Sequence, residues 1–145
     1  MKAQGTSPAT CNPLAFITGD QAYQVEVEIS IEEGTSGGLV LFYNNKMYAG
    51  VGFQKGNIIR HRTGLDITYP AAGIGNHLFI RLINDHHVVS AYYSSDGIKW
   101  EKTSFSFEVS GYHQNVIYGF LSLRPALYAA GKGEVTFRNF KYKAL

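Results

Sequence analysis

Tyr23-Gln-Val-Glu-Val-Glu-Ile-Ser-Ile31 is the stretch that decides the fold. Tyr23, Val25, Val27, Ile29 and Ile31 alternate with Gln24, Glu26, Glu28 and Ser30. Successive side chains of a strand point to opposite faces, so this period of two gathers the apolar residues on one side. One face is dry and the other wet, as in an antiparallel sheet that covers a core on one side. No stretch of the chain sustains the three-to-four-residue recurrence of a helix.

Working outward, short apolar runs separated by turn residues predict further strands at 39–43, 47–53, 58–62, 77–84, 88–94, 98–103, 116–123 and 134–142. Turns are expected at 32–38, 44–46, 55–57, 85–87 and 95–97, and a loop carrying Gly64, Pro70, Gly73 and Gly75 joins 62 to 77. Strands spaced about 8–12 residues apart, without intervening helices, indicate a sandwich or barrel rather than a parallel sheet. The last strand is expected beside the first, since both carry alternating polar positions. Asp96-Gly97 supplies a hairpin turn that needs positive φ. Trp100 is expected to fold back on the core, and Gly131 and Gly133 allow a sharp approach to the final strand. Residues 1–19, rich in Ser, Thr, Pro and Gly, read as an arm, and 20–145 as one sandwich domain.

Composition agrees with one globular domain. The chain has 145 residues, 45% hydrophobic, 14% aromatic and 17% charged. That length buries a sufficient core without a disulfide or metal, and Cys11, the one cysteine, cannot form an intrachain disulfide. A net charge of +2 with no basic run excludes the usual electrostatic footprint of a nucleic-acid or membrane-surface binder. No apolar run is long enough to span a bilayer. The first fourteen residues lack the apolar segment of an intact signal peptide.

Residues that could carry chemistry are sparse. No Gly-x-Ser-x-Gly elbow presents a nucleophile, and Cys11 lies in the arm without an electropositive setting. His86 and His87 are adjacent, so on a strand they would diverge rather than chelate one ion; they read as solvated turn residues. Glu26 and Glu28 share one wet strand face, Glu32 and Glu33 sit in a turn, and Asp66, Asp85, Asp96, Glu101 and Glu108 are scattered in or beside loops. None forms an evident acid–base pair for glycoside hydrolysis. Loop carboxylates of sandwiches can hold calcium, and Asp20 is the candidate ligand here. Sugars bind by aromatic faces with polar groups around them. Tyr43, Tyr48, Tyr92, Tyr112, His113, Gln114 and Arg124 are of the right types, and Gly50 and Gly52 leave room for a ligand or a crossing chain beside Tyr48.

Three stretches go beyond composition. They are Gly37-Gly-Leu-Val-Leu-Phe-Tyr-Asn-Asn-Lys-Met-Tyr-Ala-Gly-Val-Gly-Phe53, Tyr92-Tyr-Ser-Ser-Asp-Gly-Ile-Lys-Trp-Glu-Lys102, and Gly119-Phe-Leu-Ser-Leu-Arg-Pro-Ala-Leu-Tyr-Ala-Ala-Gly-Lys-Gly-Glu-Val-Thr-Phe-Arg-Asn-Phe-Lys-Tyr142. Together they resemble the C-terminal concanavalin A-like domain of family 43 glycoside hydrolases, the β-xylosidases and α-arabinofuranosidases. The resemblance implies an all-β, antiparallel two-sheet β-sandwich (jelly roll). It also implies a parent enzyme whose catalytic carboxylates lie on a separate five-bladed propeller, for which this chain has no room. The expected function is therefore a non-catalytic carbohydrate-binding module for xylan, arabinoxylan or a related polysaccharide. The alternative is a structural accessory domain that packs on the propeller without binding sugar. Tyr43, Tyr48, Tyr112, His113, Gln114 and Arg124 are the expected sugar contacts, calcium near Asp20 is the possible ion, and no other cofactor is implied. The expected setting is extracellular, within a secreted enzyme, with the cytoplasm as the alternative.

Overall fold

The computed structural model describes residues 1–111 and 123–145. Eleven strands are found among them: β1 (Leu14–Ala15), β2 (Ala22–Ile31), β3 (Thr35–Asn44), β4 (Met47–Gln54), β5 (Asn57–Arg62), β6 (Leu65–Pro70), β7 (His77–Asp85), β8 (Val88–Ser94), β9 (Glu101–Glu108), β10 (Arg124–Gly131) and β11 (Val135–Ala144). They form two antiparallel sheets, a six-stranded one in the order β1-β10-β3-β4-β5-β6 and a five-stranded one in the order β11-β2-β7-β8-β9. The two sheets pack face to face as a β-sandwich, the expected jelly-roll class, and β11 pairs with β2 as expected.

The alternation of β2 is realised residue by residue. Tyr23, Val25, Val27, Ile29 and Ile31 are buried and the residues between them are not. With Leu78, Ile80 and Leu82 of β7 they face Leu39, Leu41, Ala49, Val51 and Phe53 of the opposite sheet. Each Val, Leu, Ile or Phe among them contributes about 1.5–3 kcal/mol by leaving water.

Four features depart from the expected pattern. The loop between 62 and 77 contains an edge strand, β6, paired with β5 in the register His61↔Asp66. Its residues are mostly exposed and it ends on Pro70, which suits an edge where one side of the ladder needs no donors. The strand expected at 98–103 instead begins at Glu101 and runs to Glu108, because Asp96 extends the turn by accepting the Ile98 and Lys99 amides at 2.8 and 2.9 Å. Trp100 therefore sits ahead of the pairing. It lies on the outer face of the five-stranded sheet, 3.9 Å beneath the Arg81 guanidinium and edge-on to Phe79, rather than on the core. The strand expected at 116–123 falls almost wholly outside the described residues. Finally, the arm is laid onto the sandwich: β1 pairs with β10, and Phe16 stacks on Phe140 at 4.4 Å. Phe140 stands at the irregularity of β11 between Arg138 and Lys141, where Asn139 has a φ of 54°.

Candidate functional site

The outer face of the six-stranded sheet collects the groups with the most perturbed chemistry. Strand parity puts Gly38, Val40 and Phe42 of β3, Tyr48, Gly50 and Gly52 of β4, His61 of β5, Asp66 of β6, and Arg124, Ala126 and Tyr128 of β10 on that face. The glycines make a bare floor, as their spacing suggested, but the occupant is the chain's own Tyr128. Its ring crosses β3 onto β4. A Cβ on Gly38 would stand 2.6 Å from Tyr128 Cε1, and one on Gly52 would overlap the Tyr128 hydroxyl and lie 2.8 Å from Cζ.

From there a chain of hydrogen bonds runs across the sheet. Tyr128 Oη is 2.5 Å from His61 Nε2, and His61 Nδ1 is 2.5 Å from Asp66 Oδ1. Tyr48 donates its hydroxyl to the same carboxylate at 3.2 Å. An ionised carboxylate only accepts, so His61 donates from Nδ1 and is left an acceptor at Nε2 for the Tyr128 proton. Burial holds the His61 pKa below the usual histidine value against the pull of Asp66. Burial pushes Asp66 up, but its hydrogen bonds from His61, Tyr48 and Ser7 outweigh this and hold it below the usual carboxylate value. Burial, with Asp66 beside it, lifts Tyr48 to about 12 and Tyr128 well above the normal phenol range.

The arm lies over this network. The Ser7 hydroxyl is within hydrogen-bonding reach of Tyr48 and Asp66, and Cys11 packs with Val40, Ala126 and Tyr128. The Cys11 thiol, pushed to about 11 by burial, is a small core residue and not a nucleophile. The result is an oriented Tyr–His–Asp relay, buried at Tyr128, which has no exposed surface, and at His61, which has 2%, and reaching solvent at Asp66. Burial thus favours the neutral forms of His61 and Tyr128, and the hydrogen bonds to Asp66 favour its ionised form.

The expected sugar contacts are not brought together as an open surface. Tyr43 and Tyr48 are wholly buried, so neither offers a ring face to a ligand. For Tyr48 the reason is tertiary: Tyr128 occupies the space over Gly52, and Ser7 of the arm reaches the Tyr48 hydroxyl. Arg124 is half-buried on the Tyr128 side of β10, with its Nε enclosed and without a hydrogen-bond acceptor among the described residues. Tyr92 is half-buried on β8. Tyr112, His113 and Gln114 lie outside the described residues. Asp20 accepts the Tyr142 hydroxyl. Among the described residues no group of three or more His, Cys, Asp or Glu side chains converges on a metal position. His86 and His87 are exposed turn residues with φ of 49° and 77°, and His86 pairs with Asp85.

His61, Asp66 and Tyr128 were not among the expected site residues. One signal was available for the first two. Thr63-Gly64 between them forms a two-residue turn with φ of 48° and 76°, which sets residues five apart directly opposite each other across the hairpin.

No protein-family model and no curated protein sequence matches the chain. Solved structures do. A GH43 protein, BlXynB, of Bacillus licheniformis superposes with a TM-score of 0.77 at 16% identity, over 98% of this chain and 32% of that one. A xylan β-1,4-xylosidase of Bacillus halodurans C-125 gives 0.77 at 14% identity, over 97% and 32% respectively. Sheep galectin-11, in complex with glycerol, gives 0.52 at 7% identity, over 91% and 96%. The chain thus spans about a third of the GH43 proteins and corresponds to their β-sandwich part, as the three sequence stretches implied.

Proposed function

We infer that this chain is a non-catalytic accessory domain of a glycoside hydrolase that degrades plant polysaccharide of the xylan class. In this reading its partner is a catalytic propeller, in the same polypeptide or bound to it, and it works outside the cell. One observation carries the reading. Nearly the whole chain superposes on a third of the GH43 proteins, and the face where Tyr48, His61 and Tyr128 meet is closed by the chain's own arm. A self-sufficient hydrolase would need an accessible pair of carboxylates flanking a sugar, whereas Asp66 is committed to His61 and Tyr48.

The test is native isolation of the protein from the culture fluid of its own cells, with identification of what accompanies it by mass spectrometry. A glycoside hydrolase catalytic domain in one-to-one amount is the expected result. Recovery of the folded sandwich alone, or from cytoplasm alone, refutes the reading.

A second reading, a carbohydrate-binding module, is favoured by a different observation: an aromatic-lined cleft stands open on the side of the sandwich. Calcium belongs to this reading as a proposal at Asp20. There the ion would have to displace the Tyr142 hydroxyl, so titrations with and without added calcium test it.

A further inference from the structure

We propose that the open side of the sandwich, where edge strands β6 and β9 face each other, is a binding groove for a neutral saccharide chain. Tyr69 of β6 stacks on Phe105 of β9 across the gap between the sheets, with ring centroids 5.9 Å apart and planes 24° apart. Phe105 is braced from within by the buried Phe107 at 5.5 Å. The Arg60 guanidinium lies 5.9 and 5.8 Å from the Tyr69 and Phe105 centroids, while its Nε is buried without an acceptor among the described residues. Tyr69 nevertheless keeps 38% of its surface exposed. It is an aromatic platform fixed by its neighbours before any ligand arrives, which spares the ordering cost of binding.

Two clefts meet at this platform. One, of about 270 Å³, is lined by Tyr69, Tyr93, Lys102, Ser104 and Phe105. The other, of about 300 Å³, is lined by Tyr93, His77, Ser95, Asp96, Lys99 and Glu101. Tyr93 belongs to both, and its hydroxyl is held by Glu101. The segment from Pro70 to Ile74 forms the opposite bank. That bank is low: a Cβ on Gly73 would meet nothing within 4 Å. A groove with two lobes on either side of one aromatic residue suits a chain of rings rather than a single compact ligand.

The lining chemistry selects the occupant. Two ammonium groups, Lys99 and Lys102, are matched by two carboxylates, Asp96 and Glu101. A balanced rim gives no attraction to phosphate or nucleic acid. Half-exposed aromatic faces suit the C–H side of a pyranose, and hydroxyl, carboxylate and ammonium groups suit its hydroxyls. This groove rests on the reading of the chain as part of a polysaccharide-degrading enzyme, but it uses none of the residues of the Tyr128–His61–Asp66 relay.

The test is calorimetric titration of the whole chain with xylan, arabinoxylan and mixed-linkage β-glucan. Saturable binding to at least one is expected. Tyr69→Ala removes the platform and is expected to weaken it roughly tenfold or more. Ser104→Arg obstructs the same cleft from an exposed position without touching the stack, and is expected to do the same. Trp100→Ala, on the outer face of the five-stranded sheet, is expected to leave affinity unchanged. Flat traces with all three polysaccharides on folded protein overturn the groove, while leaving the partnership with a catalytic domain to be judged by the isolation experiment. Binding that survives both Tyr69→Ala and Ser104→Arg equally overturns it, because the sugar then sits elsewhere.

Discussion

Substituting Gly52 by alanine tests the reading of the Tyr128 layer directly. The new methyl would overlap the Tyr128 hydroxyl, lie 2.8 Å from its Cζ and 2.9 Å from the Gly37 carbonyl oxygen. Tyr128 has no exposed surface and so no free direction in which to swing. Overpacking of this kind costs about 1–3 kcal/mol. Moving the hydroxyl off His61 leaves a buried acceptor unsatisfied, at a further cost of about 1–3 kcal/mol. The total of about 2–6 kcal/mol is a large fraction of the 5–15 kcal/mol typical of a domain. Tyr128→Phe alone loses the hydrogen bond, about 1–3 kcal/mol. In that background Gly52→Ala no longer meets the hydroxyl, and its cost falls to the packing part. The two changes should therefore couple by about 1–3 kcal/mol in a double-mutant cycle. Urea unfolding followed by circular dichroism measures all four corners. Additivity within about 0.5 kcal/mol would show that glycine 52 and Tyr128 do not share space, and the account of this face would fail.

Other expectations follow from the same contacts. His61 is held neutral, so its folded pKa lies below its unfolded value near 6.5. Its contribution is complete above about pH 6.5 and is lost as pH falls through the folded pKa, and Asp66 acts in the same direction at lower pH. Unfolding free energy should thus decline on acidification below about pH 6.5, and His61→Gln should flatten that slope; an unchanged slope refutes the assignment. Cys11 should resist Ellman's reagent at pH 8 in the folded protein and react at once in urea, since the native thiol titrates near 11 and is buried. Fast native labelling would mean that the arm is not seated. Arg81→Ala removes the cation over Trp100 and the 2.8 Å pair with Glu26. It should cost about 1–2 kcal/mol and shift the emission of the single tryptophan to the red, and silence in both readouts counts against the contact.

Much of the architecture was legible because it rests on local periodicity. The strict alternation of β2 declares its buried face, and the Asn44-Asn45 and Asp96-Gly97 turns lie where the expected hairpins fold. β6 was not legible. An edge strand with Leu65 and Tyr69 exposed has no alternation of burial to advertise, and its glycine and proline neighbours imitate a loop. Trp100 was misplaced because a wet-face cation competes with the core for an indole, and no spacing encodes that choice. The face of Tyr48 failed for a longer-range reason. Gly50 and Gly52 correctly signal empty floor, but which group fills it depends on where β10 pairs and where residues 5–12 fold back. An arm rich in Ser, Thr and Pro reads the same whether it leaves the domain or closes a face.

The seating of that arm has a consequence for assembly. β10 has β3 on one side, while on the other its groups meet only the two-residue β1 and single bonds such as Gln4 to Ala129, Gly131 to Gly5 and Phe16 to Pro125 among the described residues. These are main-chain bonds, which recognise a strand and not its owner. An edge covered only by so short an arm becomes a template for another chain wherever the arm lifts. A second copy could lend its first sixteen residues to the same edge in the same register, with neither sandwich altered. The chain's own arm competes at an effective concentration on the order of millimolar, as for other short tethers. Exchange between copies would therefore be expected only where the local concentration of the protein approaches that of its tethered arm.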